Sequence, residues 1–153
     1  MINLFKKLFN TNASHFDVPW IDNPCWIIKR VPDVTLFFKH IMNLIPANSI
    51  MEIKSDVASD GILSFYRANS ISTQGPSDSF QLLVNSDLMD KLIQISDNHA
   101  GPEYCDNLLI YLDNKLILHW YDFPGDPIHI SPDFDEAKVD AFSQNIKATL
   151  IKK

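Results

Sequence analysis

Residues 107–131, NLLIYLDNKLILHWYDFPGDPIHIS, constrain the fold of this chain more than any other stretch. Two apolar, β-rich runs flank Asp113-Asn114, and both of those residues tolerate positive φ, so the segment reads as a hairpin closed by a two-residue turn. Turn geometry then sets the register, with Leu112 opposite Lys115 and Ile110 opposite Ile117. One face collects Leu109, Tyr111, Leu116, Leu118 and Trp120; the other collects Leu108, Ile110, Ile117, His119 and Tyr121. Both faces are apolar, which places the hairpin at the centre of a sheet covered on both sides. The N-terminal segment and the first helix are the candidate covers.

The rest of the chain supplies strands and helices in alternation. Asp33 is a good N-cap for a helix over 34–45, where Val34, Phe37, Phe38, Ile41, Leu44 and Ile45 recur at three- and four-residue spacing until Pro46 ends the pattern. Residues 49–54 read as a strand with Met51 and Ile53 on one face, and 26–28 as a short strand or lead-in. The span 56–67 fits a helix slightly better than a strand, despite Gly61. Residues 69–79 read as a Ser-, Gly- and Pro-rich surface loop. Residues 80–84 form a further strand, and Asn85 or Ser86 caps a helix over 87–97 with Leu88, Leu92, Ile93 and Ile95 inward. After the hairpin and a third short strand, Ser131-Pro132 and Asp133-x-x-Glu136 open a last helix that buries Val139, Phe142, Ile146 and Leu150 and ends on lysines. At the start of the chain, Ile2, Leu4, Phe5, Leu8 and Phe9 with Lys6 and Lys7 form a short amphipathic docking segment. A loop over 10–24 follows it and lays Phe16 and Trp20 on the core. The expected architecture is α+β: one domain over 1–153, with a mainly antiparallel sheet centred on 107–121 and three or four helices packed against it.

Charge narrows the function. The net charge is −6, and residues 97–140 alone hold ten acids against Lys115 and Lys138. Nucleic-acid binding rests on clustered Lys and Arg, so a nucleic-acid partner is not expected. An acidic surface of this kind either solvates the protein or attracts a basic partner. No GxGxxG, no GxxxxGK[ST] and only four glycines are present, so no nucleotide cofactor is expected, and no cofactor of any other kind is suggested. Cys25 and Cys105 belong to no metal-ligand spacing, and whether they pair is open. With no signal-peptide pattern and no apolar run of bilayer length, the expectation is a cytoplasmic protein without stable membrane insertion. Oligomeric state is open.

His119, Asp122, Asp126 and His129 fall within eleven residues and carry the one concentrated chemical option, a metal-assisted hydrolase. Their spacing matches no metal motif. The more ordinary reading packs His119 among apolar neighbours and uses Asp122 and Asp126 for turns around Pro124-Gly125. Ser131 or Cys105 could pair with a histidine as a nucleophile, but neither lies in a GxSxG elbow or a cysteine-protease signature. The sequence therefore favours a non-catalytic protein, with no catalytic residue and no metal ligand assigned.

The motif His119-Trp120-Tyr121-Asp122, then Asp126-Pro127-Ile128 and a closing amphipathic helix, resembles small, mostly uncharacterised bacterial α+β proteins of the polymorphic-toxin immunity type. The resemblance covers the last third of the chain. It implies a protein that binds and blocks a toxin, and many such toxins are basic nucleases. No functional residue is carried over from it; the partner-binding candidates, read from the acidic loop and the adjoining helix start, are the rim residues Asp122, Asp126, Asp133, Asp135 and Glu136.

Overall fold

The computed structural model describes residues 25–72 and 75–152. The expectations for the amphipathic segment and the loop before Cys25 lie outside the described residues. The described elements are β1 (Trp26–Lys29), α1 (Val34–Leu44), β2 (Ile50–Lys54), α2 (Asp60–Asn69), β3 (Ser79–Leu83), α3 (Ser86–Asn98), β4 (Asn107–Leu112), β5 (Lys115–Trp120), β6 (Ile128–Ile130), α4 (Glu136–Asn145) and β7 (Thr149–Lys152). A 3-10 turn at Gly101–Glu103 leads into β4. The seven strands form one open antiparallel sheet in the order β3-β2-β4-β5-β6-β1-β7. With four helices against it, the α+β expectation holds, and β4–β5 occupies the middle of the sheet.

Local chemistry explains why the helices start where they do. The Asp33 carboxylate accepts the Thr35 N–H at 2.9 Å, and the Asn85 side chain accepts the Leu88 N–H at 2.9 Å, each satisfying a first-turn donor that has no partner within its helix. α2 begins four residues later than expected, at Asp60. The loop after α2 is partly pinned, because Ser70 bridges Leu82 and the Ile71 N–H donates to the Gln81 carbonyl at 2.8 Å along the β3 edge.

The hairpin turn forms as its residues dictate, with φ of 49° at Asp113 and 64° at Asn114 and Leu112 opposite Lys115. The expected register then fails after two pairs. Tyr111 faces Leu116, but Ile110 faces Leu118, so one extra residue enters β5 as a bulge. Because side chains alternate, this slip exchanges the faces of the rest of the strand. Leu118 and Trp120 join Leu108 and Ile110, while His119 joins Leu109.

The resulting inner face is continuous. One cross-strand row is Leu82, Met51, Ile110, Leu118, Ile130 and Trp26; the next is Phe80, Ile53, Leu108, Trp120, Ile128 and Ile28. All twelve belong to one buried cluster with Phe37, Phe38 and Ile41 of α1, Tyr66 of α2, Leu92 of α3 and Phe142 of α4. Trp120 lies at its middle, 5.0 Å from Phe37 and 4.5 Å from Phe123 between ring centroids, with its indole N–H donating to the Asp126 carbonyl at 2.7 Å. The four helices therefore cover one face of the sheet.

The last helix is shorter than the sequence pattern suggests. Asp135, rather than Asp133, caps it by accepting the Lys138 N–H, and it ends at Asn145. Lys147 takes a left-handed conformation, φ 57°, and residues 149–152 pair with β1 as an edge strand. Leu150 thus lies on a strand, because pairing with β1 outweighs the helical spacing that links it to Val139, Phe142 and Ile146.

Candidate functional site

The five rim residues chosen from sequence do not come together. Asp122 and Asp126 occupy one turn beyond the end of β5, where the Asp122 carbonyl accepts the N–H of Gly125 at 2.6 Å and of Asp126 at 3.2 Å. Asp133, Asp135 and Glu136 lie beyond the opposite end of that strand, near Lys115. Six strand residues at ~3.3 Å each separate the two groups.

At the first end, distant parts of the chain add carboxylates. Asp106 precedes β4 and Asp56 follows β2, and antiparallel pairing brings both beside Asp122. The Asp56 N–H donates to the Asp106 carboxylate at 3.0 Å, and the Phe123 N–H donates to the Asp106 carbonyl at 2.8 Å. Partial burial, with Asp56 and Asp122 close by, raises the Asp106 carboxyl pKa above the ordinary range, despite the hydrogen bond from the Asp56 amide that opposes the shift. Among the described residues no ion pair reaches Asp56, Asp106 or Asp122. Asp56 and Asp106 were not singled out from sequence, since only the sheet register brings them to Asp122.

At the other end the acids are already engaged. Lys115 forms an ion pair with Asp133 and holds its carboxyl below the usual range. Glu136 lies 3.7 Å from Lys152, and Asp135 caps α4. Lys115, Asp133 and Asp135 border a groove of about 560 Å³ whose apolar lining includes Leu44, Leu112, Ile117 and Phe134.

The histidines lie elsewhere again. His119 and His129 face each other across the β5–β6 ladder, in the row Gln81, Glu52, Leu109, His119, His129, Ile27 and Ile151. This row occupies the sheet face turned away from the helices. Glu52 is only 2% exposed; its carboxylate accepts the Ser79 hydroxyl at 2.9 Å and lies 3.5 Å from the Lys54 ammonium. Its second oxygen has no hydrogen-bond donor among the described residues. Burial, with His129 and Lys54 nearby, pushes the His119 pKa down to about 4, so the imidazole is neutral at pH 7. The sequence signal for Glu52 is its place as the lone carboxylate in the otherwise apolar run IMEI.

Asp122 and Asp126 lie in the turn beyond the strand that carries His119. No group of three or more His, Cys, Asp or Glu side chains among the described residues is placed to hold a metal ion. The two candidate nucleophiles are buried: Ser131 accepts the Asp133 N–H at 3.3 Å, and burial raises the Cys105 thiol pKa, away from the reactive thiolate. No described helix is long and apolar enough to cross a membrane.

Comparison with protein-family models, characterised proteins and solved structures finds no match to this chain.

Proposed function

We propose that this chain is a non-catalytic binding protein that neutralises a basic protein partner, in the manner of an immunity protein against its cognate toxin. The observation that carries the reading is the crowding of Asp56, Asp106 and Asp122 at one end of the sheet, beside Asp126. Folding brings like charges together there at a cost, and a cationic surface docking on them would remove the repulsion and lower the Asp106 pKa. Such a surface steers an oppositely charged partner and raises its association rate. Asp133, Asp135 and Glu136 form a second acidic patch, partly neutralised by Lys115 and Lys152. The reading takes the protein to be cytoplasmic and bacterial, with no nucleic acid and no cofactor.

The test is co-expression with the product of the adjacent gene in a host that this product poisons. Growth should be rescued by the chain and lost on the double reversal Asp122→Lys/Asp126→Lys, while Asp133→Lys has a smaller effect. If the neighbouring product is harmless, or if both reversals rescue as well as the unaltered chain, the reading fails.

A further inference from the structure

The two edges of the sheet are finished differently. At the β3 edge the chain doubles back, where Ser70 bridges Leu82 and the Ile71 N–H donates to the Gln81 carbonyl at 2.8 Å, so part of the outward backbone is engaged. At the other edge β7 pairs with β1 through four consecutive residues and, among the described residues, has no strand beyond it. Thr149, Ile151 and Lys152 are exposed, Ile151 at 39%. An unpaired strand edge is a template for another strand, and proteins that stay single blunt it with a bulge, a proline or an outward-pointing charge. β7, with the sequence TLIK, has neither bulge nor proline. Its charge is drawn back over its own chain, for the Lys152 ammonium lies 4.8 Å from the centre of the Trp26 ring and 3.7 Å from the Glu136 carboxylate.

We propose that this edge pairs with β7 of a second copy of the chain, antiparallel and about a two-fold axis normal to the sheet, so that one sheet runs through both copies. A strand that meets its own copy antiparallel closes the assembly with a single self-complementary surface. With Ile151 on the axis, the two exposed isoleucines lie opposite each other, and each Leu150 lies opposite the partner's Lys152, every pair sharing one face of the sheet. The same rotation sets the two copies of α4 side by side on one face, in opposite directions. α4 runs antiparallel to β7, with Glu136 beside Lys152 at one end and Lys147 just past the other. The two-fold therefore turns Glu136 of each copy toward Lys147 of the other, and opposes the helix dipoles. An unrelated extended peptide would supply main-chain hydrogen bonds but neither of these matches, which is why the occupant is a second copy. The acidic end formed by β2, β4 and β5 lies at least three strands inward from the junction and stays open, and the two proposals stand or fall separately.

Sedimentation velocity of the full chain at ~100 µM, where even micromolar pairing is nearly complete, should give a dimer; a monomer overturns the proposal. Ile151→Lys places like charges opposite each other on the axis at an exposed position, so the folded variant should dimerise at least ~tenfold more weakly. A dimer as tight as that of the unaltered chain would lie elsewhere on the surface and overturns it too. Cross-linking keeps the test open should that variant fail to fold. Ile151→Cys, treated with a short bis-maleimide, should form a covalent dimer, while Leu83→Cys on the β3 edge, 43% exposed in the unaltered residue, should not; Cys25 and Cys105 are buried. Equal cross-linking at the two edges, or cross-linking at Leu83→Cys alone, rules the β7 junction out.

Discussion

Trp120 and His119 are neighbours in β5 and face opposite sides of one sheet. The helix-facing side is uniformly apolar and aromatic, with Trp120 meeting Phe37 and Phe123. The other side is just as buried at His119, Leu109 and Glu52, but it encloses a carboxylate, a lysine stem and two imidazoles. An apolar face tolerates many packings of similar volume, whereas buried polar groups demand particular partners. The two faces should therefore respond differently to substitution and to pH.

The largest effect belongs to the first face. Trp120→Ala removes the ring at the middle of the core and leaves a void beside Phe37 and Phe123; the expected loss is ~3–5 kcal/mol in urea unfolding. Leu109→Ala probes the second face with an aliphatic side chain of the same burial. If that face is a packed layer, the loss is ~2–4 kcal/mol; a loss under ~1 kcal/mol would mean that only the helix side is a true core.

Acid separates the faces more selectively. The His119 pKa falls from 6.5 to about 4 on folding, so the unfolded chain binds the proton more tightly. The stability this group contributes is fully present above pH 6.5 and drains away as pH falls toward 4. Between pH 7 and pH 4.5 the unaltered chain should lose ~2 kcal/mol through His119, and His119→Leu should lose correspondingly less. His129, Lys54 and Tyr121 lie near the ring on this face, with Glu52 paired to Lys54, and the comparison between the two chains cancels their own titration. Identical pH profiles would show that His119 is solvated and the second face open.

How much of this was legible depends on where the information lies. The helices at 34–44 and 86–98 announce themselves through Asp33 and Asn85 and an apolar spacing that only one conformation satisfies. The Asp113-Asn114 turn is similarly local. The bulge in β5 is not, because NLLIYL and KLILHW are apolar on both faces, so alternation carries no phase and a one-residue slip leaves no trace. β7 was hidden for a related reason, since Leu150 continues a helical spacing that only the distant β1 overrides. The acidic end combined both cases: Asp122 and Asp126 could be read from their turn, while Asp56 and Asp106 reach it only through strand pairing.

The smallest expected effect concerns that acidic end, which neither face covers. Asp106→Asn keeps an oxygen to accept the Asp56 N–H and removes one of three crowded carboxylates. Because the raised Asp106 pKa means that the charged form is disfavoured in the fold, the substitution should raise the thermal midpoint slightly at pH 7, and less at high salt, where screening has already weakened the repulsion. A function carried by that charge predicts the opposite sign in binding. The same variant should associate more slowly with a basic partner while being the more stable protein, a separation of stability from recognition that a merely structural aspartate would not produce. A lower midpoint for Asp106→Asn would mean that the Asp106 charge stabilises the fold through a cation, and the three carboxylates would cease to be a surface held in readiness for a partner.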